Sequence, residues 1–340
     1  MSHPDPARIL ETACAFWPSK VLLTAVEFDL FTVLAERPMN AAELEQKLQL
    51  RSRATRDFLD ALVALKFLER DGDGPAGRYR NTSETGAFLN RGSPAYIGGF
   101  MAMLNDRLFG FWNSLGEALH TGKPQTEVKT SGKPVFESLY ADPQRLDDFL
   151  QAMSGVQLGN FMALAEKFDF SRYQTVTDVG GALALLSRTV AARHPHLRCI
   201  SFDLPPVAPL AQKQVDAAKL GGRVSIVGGD FFKQDLPPAD VITMGNILHD
   251  WNLDTKKMLI AKAFHALPPG GAFIAIENLI DDARRENAFG LMMSLNMLIE
   301  TGDGFDYTGA DFRQWCSEAG FKRFEHLPLA GPAAASIAYK

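Results

Sequence analysis

The sequence predicts an α/β protein: an open, mostly parallel sheet that follows an N-terminal all-α/winged-helix unit. Three observations carry this. Apolar runs at Thr175–Val179, Leu197–Asp203, Arg223–Val227, Val241–Met244 and Ala272–Ile276 alternate with helical stretches, the signature of consecutive βαβ units. The glycine turn Asp178-Val-Gly-Gly-Ala-Leu-Ala184 joins the first run to a helical pattern over Leu185–Arg193, as in α/β folds that bring backbone close to a cofactor. The stretch ending near Arg91 alternates short helical patterns with turn signals instead.

The elements follow in order. Ala7–Leu34 is apolar at helical spacing, with a break expected near Pro18. Asn40 is placed to cap a helix over Ala41–Leu48, with Glu43 as its capping-box partner. A helix expected over Arg53–Arg70 carries Phe58, Leu59, Leu62, Leu65 and Phe67 on one face. Asp71-Gly-Asp-Gly-Pro-Ala-Gly77 turns the chain into Arg78–Asn81. Two short helices and a hairpin read as a winged helix. The region from Pro94 to Phe170 is helical and rich in Phe, Met and Trp. Three segments result: 1–92, 93–172 and 173–340.

The bulk numbers bound the function. A chain of 340 residues with 46% apolar composition can bury a substantial core and form two domains. A net charge of −5 provides no general attraction to nucleic acid or anionic membrane. Cys14, Cys199 and Cys316 form no CxxC pair, so a reduced, cytoplasmic protein is expected. The opening residues lack the basic-then-apolar pattern of a secretory signal. No uninterrupted apolar segment is expected to span a bilayer. No spacing of Cys, His or carboxylates resembles a metal cluster.

In an open parallel sheet, ligands bind beyond the C-terminal ends of the strands. The polar residues there are Asp178-Val-Gly-Gly, Asp203-Leu-Pro, Gly229-Asp230-Phe231, His249-Asp250-Trp251 and Glu277-Asn278. With Phe202-Asp-Leu-Pro205, Gly229-Asp-Phe-Phe232 and Ile247-Leu-His-Asp-Trp251 in this order and spacing, the chain resembles the S-adenosylmethionine-dependent O-methyltransferases. The subgroup is the plant caffeate and hydroxyindole type with its bacterial small-molecule relatives. The resemblance covers nearly the whole chain. It implies a Rossmann-like class I methyltransferase domain over 173–340 and a winged-helix dimerisation domain over 1–92 that forms a homodimer. The helical linker over 93–172 would contribute to the substrate pocket.

The resemblance also implies residue roles. S-adenosylmethionine would meet Asp178, Gly180, Gly181, Asp203, Leu204, Asp230, Phe231 and Asn246. Asp203 would accept from both ribose hydroxyls, since a carboxylate is an acceptor with two oxygens. Asp230 and Phe231 would bracket the adenine. His249 would be the general base, because imidazole is neutral yet basic near pH 7. Glu277 would orient it, with Asp306 standing where the family often has a second glutamate. Met153, Phe161, Met293 and Asn296 are the candidates for contact with a small aromatic or polyketide-like substrate. They are chosen from a larger set that includes Phe100, Trp112 and Met292. The remaining histidines, His3, His120, His194, His196, His265 and His326, lack such a context and read as solvated or structural.

The chain departs from the family pattern in the loop. Ala182 and Ala184 stand where glycine is usual, and each added Cβ is expected to point into ligand space. Gly245 stands where plant members carry a lysine. A tolerated variant, an alteration that impairs cofactor binding, and a family member repurposed for rearrangement, decarboxylation or hydroxylation all fit the loop. A winged-helix regulator is the reading from another class, resting on Arg51, Arg53 and Arg56. Asp57, Asp60 and Glu69 on the same segment oppose it.

Overall fold

The computed structural model describes residues 4–132, 140 and 142–340. His3 lies outside them. The chain divides into two compact units, Met1–Gly110 and Phe111–Lys340. The division falls inside the segment expected as a linker.

In the first unit, β1 (Met39–Asn40), β2 (Leu68–Asp71) and β3 (Arg78–Asn81) form an antiparallel sheet in the order β1-β3-β2. Asn40 caps the helix Ala41–Leu48, and the reciprocal bond from Glu43 completes the capping box. Leu30, Phe31, Leu44, Leu59, Leu62 and Tyr79 fill the core. Three expectations are corrected. The helix expected to reach Arg70 spans Ser52–Ala64, because Lys66 turns left-handed at φ +63° and Leu68–Asp71 pairs with β3. The break expected near Pro18 falls at Ala15, and Pro18 sits in the first turn of Phe16–Glu27, where its missing N–H costs nothing. The helical run Ala7–Glu27 has 21 residues and is apolar enough, by length and composition alone, to cross a membrane. Its few charges, Arg8, Glu11, Lys20 and Glu27, interrupt it too sparsely to exclude that. Ile9, Leu10, Phe16 and Trp17 of this run are exposed.

In the second unit, seven strands form one sheet in the order β6-β5-β4-β7-β8-β10-β9. They are β4 (Thr175–Val179), β5 (Arg198–Asp203), β6 (Val224–Gly228), β7 (Val241–Gly245), β8 (Ala272–Glu277), β9 (Arg323–Pro328) and β10 (Ala334–Tyr339). Strands β4 to β8 are parallel, with Val179 opposite Phe202 on one side and Met244 on the other. β10 runs antiparallel to β8 and β9. The sequence reading missed this closing hairpin. β8 is buried at all six positions. Apolar clusters on both faces of the sheet explain why the parallel strands read as continuous apolar runs. Strand order reverses between β4 and β7, and a switch point of this kind opens a crevice at the strand ends.

Candidate active site

The chain leaves β7 through Asn246, which is left-handed at φ +54° and donates its N–H to the Ile276 carbonyl. A short helical turn, Leu248–Asp250, then presents His249 and Asp250. Glu277 ends β8, and its Oε1 accepts the His249 backbone N–H at 3.2 Å. Asp306 follows the helix Ala288–Glu300 and places Oδ1 3.5 Å from His249 Nδ1. Asp250 Oδ1 stands 3.5 Å from Nε2 on the other side of the ring. Gly304 permits this packing, because a Cβ there would stand 2.7 Å from the carbonyl oxygens of His249 and Asp250.

The cluster is buried: His249 is 5% exposed, and Glu277 and Asp306 are each 2%. His249 Nδ1, Glu277 Oε2 and both Asp306 oxygens lack a hydrogen-bond partner among the described residues. Buried polar groups in that state mark a site for a ligand or a shared proton. Burial disfavours the imidazolium, but the charges of Glu277, Asp250 and Asp306 outweigh it and raise His249 to about 10. Three carboxylates around the ring favour its protonated form, where the sequence led to the expectation of an imidazole neutral near pH 7. Burial in turn raises Glu277 to about 7 and Asp250 to about 6, with His249 acting against the shift in both. Glu277 is thus bonded to the backbone of His249, while Asp306 and Asp250 flank its ring. The sequence assigned no role to Asp250, although its place beside His249 is a signal.

His249, Glu277 and Asp306 offer atoms within 4.8 Å of one another, a grouping that could hold a metal ion. The sequence reading grouped the three as catalytic residues but expected no metal cluster, since their spacing matches no metal-ligand pattern. The ammonium of Lys256, which acts on Glu277 and Asp306, opposes a dication there.

The loop after β4 keeps the shape its glycines would dictate. Gly180 is left-handed at φ +70°, and a Cβ there would collide with Ile247. Ala182 and Ala184 are also left-handed, at φ +46° and +56°. The Ala184 methyl group faces the interior, whereas Ala182 is half-buried. Ala184 is fully buried in the cluster with Val176 and Val190, and Ala182 packs against the cluster of Leu146, Leu150, Leu183 and Val207. The Ala184 methyl group therefore lies in the core, where ligand space was expected. The cost of these alanines is backbone strain, roughly 1–2 kcal/mol per left-handed residue.

Asp203 ends β5 beside this loop, accepting from Ala182 N–H at 2.8 Å and from Leu204 N–H at 2.7 Å. Two of its four lone-pair sites remain for a diol. Burial raises it to about 6, against those two bonds. Asp178 is buried and accepts from the Thr243 hydroxyl at 2.8 Å, so its observed contact is internal. Asp230 accepts from Phe232 N–H and pairs with Lys233 at 2.9 Å. Phe231 packs edge-on to Trp251 at 6.0 Å. Phe161 is buried, with its ring 3.4 Å from where a Gly245 Cβ would stand. Asn296 is buried, accepts from Trp112 Nε1 at 2.9 Å and donates to Glu300 at 2.6 Å. Met153 and Met293 are half-buried, and Met292 is exposed. His194, His196, His265 and His326 contact backbone carbonyls or Ser336, as structural histidines do.

An open parallel sheet with a strained loop at one strand end and a buried His–carboxylate cluster at another defines a class I methyltransferase. A family profile described as an O-methyltransferase domain matches residues 112–322, and an O-methyltransferase dimerisation domain matches 10–91. The chain belongs to the O-methyltransferase family, whose members depend on S-adenosylmethionine. It is 41% identical to the tetracenomycin polyketide synthesis 8-O-methyl transferase of Streptomyces glaucescens, covering 98% of this chain and 97% of that one. It is 34% identical to an N,N-dimethyltransferase of Streptomyces rimosus, covering 92% and 90%. The crystal structure of human N-acetylserotonin methyltransferase in complex with S-adenosylmethionine superposes with a TM-score of 0.90 at 29% identity, over 100% of this chain and 99% of that one.

Proposed function

We propose that this enzyme transfers a methyl group from S-adenosylmethionine to an oxygen of a small aromatic or polyketide-like acceptor, with His249 as general base. The observation that carries this is the buried imidazole with unbonded acceptor atoms around it, at the ends of β7 and β8. The Streptomyces glaucescens relative, named for a polyketide, supports the acceptor class.

The residues present fit the cofactor. Asp203 keeps two lone pairs for the ribose hydroxyls, and the loop keeps its left-handed path beside it. Gly180, Gly181, Leu204, Asp230, Phe231 and Asn246 complete the cofactor side, with Asp178 supporting the loop from within. When bound, S-adenosylmethionine supplies a methyl group on a cationic sulfonium. The protein's own part is to position the acceptor and take its proton. The His249 ring accepts that proton, Asp306 and Asp250 stabilise the imidazolium, and Glu277 holds the His249 backbone. Because the ring begins protonated, it must first lose that proton, and turnover should climb on the alkaline side of neutral. Met153, Phe161, Met293 and Asn296 form the acceptor side.

Calorimetric titration with S-adenosylmethionine, followed by product mass, tests the reading. Micromolar binding and a product heavier by one CH2 are expected. No binding up to millimolar cofactor would sink it, and a product without the added methyl would favour repurposed chemistry. We also infer a homodimer in the reducing cytoplasm, formed through the exposed face of Ile9, Leu10, Phe16 and Trp17, the last three of which lie within the dimerisation match. Trp17→Glu should shift the species seen by analytical ultracentrifugation from dimer to monomer.

A further inference from the structure

The helix Ala288–Glu300 is apolar except for Ser294, Asn296 and Glu300. Ser294 Oγ accepts the Asp306 N–H at 3.2 Å, which ties this helix to the carboxylate beside His249. Asn296 is 8% exposed. Its Oδ1 accepts from Trp112 Nε1 at 2.9 Å, and its Nδ2 donates to Glu300 Oε1 at 2.6 Å, one helical turn further on. Trp112 opens the short turn Trp112–Ser114. An indole nitrogen only donates, and a carboxylate only accepts. Together they fix which end of the amide is oxygen and which is nitrogen, a choice that hydroxyl or water neighbours would leave open. The helix end is itself held: the Gln125 N–H donates to the Ile299 carbonyl at 2.7 Å, and Thr126 Oγ1 donates to the Glu300 carbonyl at 3.4 Å. An amide has two N–H donors and two oxygen lone pairs. One of each is used here, and among the described residues the second N–H and the second lone pair have no partner. Packing alone would favour an apolar side chain at this position, with no half-buried carboxylate beside it.

We propose that Trp112 and Glu300 are positioning residues for the methyl acceptor, locking the Asn296 amide so that it recognises a second acceptor oxygen, one that is not methylated. The spare N–H suits a keto oxygen, and the N–H with the spare lone pair suits a hydroxyl. The acceptor class is therefore an aromatic ring system carrying a keto or hydroxyl oxygen besides the phenol that reacts. This rests on the reading of Asn296 as part of the acceptor side of a methyltransferase. An analogue without that oxygen leaves the buried amide unpaired and is bound less well. Without the indole, nothing holds the amide oxygen to its side. Without the carboxylate, both N–H groups lose their fixed direction.

The probes are a hydroxyanthraquinone and the hydroxyanthracene that lacks its keto oxygens. Affinity for each is measured by calorimetry on the full chain with S-adenosylhomocysteine present, so that no turnover is needed. Methylated product is followed separately by mass. The wild type should prefer the hydroxyanthraquinone by about tenfold. Trp112→Phe and Glu300→Leu should each bring that preference close to unity, while affinity for the hydroxyanthracene stays within about twofold. Glu300→Gln keeps an acceptor oxygen and should retain the preference. In Asn296→Leu the preference is already lost, and adding either substitution should change nothing further. A preference absent in the wild type, or unchanged in Trp112→Phe and Glu300→Leu, would overturn the proposal. So would an equal fall in affinity for both probes, an effect that persists in Asn296→Leu, or loss of the fold in both variants, each of which would make the pair structural. A preference that moves as expected without methylated product would uphold the Asn296 lock and refute methyl transfer. Methylated product with an unmoved preference would do the reverse.

Discussion

The loop after β4 is built from backbone shape, whereas the turn after β7 is built from buried charge. In the loop, Gly180, Ala182 and Ala184 hold left-handed conformations; Ala184 is buried in one apolar cluster and Ala182 packs against another. Residue identity there adjusts strain, and the path of the chain survives the change. In the turn, Asp250, Glu277 and Asp306 surround one imidazole away from water, so each side chain sets the proton affinity of its neighbour. A residue can be exchanged cheaply where the surroundings hold the backbone. It cannot where the surroundings are its electrostatic partners.

The sharpest way to break this contrast is His249→Gln. Turnover should fall by about 10²- to 10⁴-fold, the usual worth of a general base, while calorimetric affinity for S-adenosylmethionine stays within a few-fold. Full turnover in this variant would end the base assignment. Asp306→Asn comes next. It removes a negative charge 3.5 Å from Nδ1, so the imidazolium loses support and its value falls from about 10. The acid limb of kcat/KM should move to lower pH by roughly 1–3 units.

The loop should respond in stability rather than affinity. Restoring glycine at both positions, Ala182→Gly with Ala184→Gly, relieves left-handed strain of roughly 1–2 kcal/mol each but adds about 0.5–1 kcal/mol of unfolded-state entropy at each. A net gain of about 1 kcal/mol in denaturant unfolding is expected. Cofactor affinity should change less than about threefold, since Ala184 is buried in the core and Ala182 packs against an apolar cluster; a gain of one RT ln 10, about 1.4 kcal/mol, or more in binding would mean that a methyl group meets the ligand. The smallest effect belongs to Asp178, raised to about 7 chiefly by burial. Between its ordinary 3.8 and about 7 the folded state keeps a proton that the unfolded state has released. Stability from this group is therefore lost as pH rises through that window. Asp178→Asn should flatten this part of the melting profile between pH 4.5 and 7.5 relative to wild type.

Much of the fold was legible because its signals are local. The capping box at Asn40 and Glu43 lies within four consecutive residues, and strands β4 to β8 announce themselves as apolar runs. Motif order along the chain brought out His249, Glu277 and Asp306, and the structure brings those three together. The hairpin of β9 and β10 escaped because the outer strand β9 is half-exposed and reads as an ordinary mixed segment. Lys256 escaped because Lys256-Lys257 resembles a solvated pair. Only its spacing with Leu259, Ile260 and Ala263 hinted that one of the two faces inward.

By itself, then, the sequence determined the order of elements, the turn chemistry and the residues available at the strand ends, since apolar period and capping depend on near neighbours in the chain. Tertiary structure alone decided that the Ala184 methyl group turns inward, that a carboxylate remote in sequence flanks the His249 ring, and that Lys256 is fully buried. Those outcomes depend on burial and on distances between residues remote in sequence. Desolvation and Coulomb energy act through space, and the linear chain does not record them.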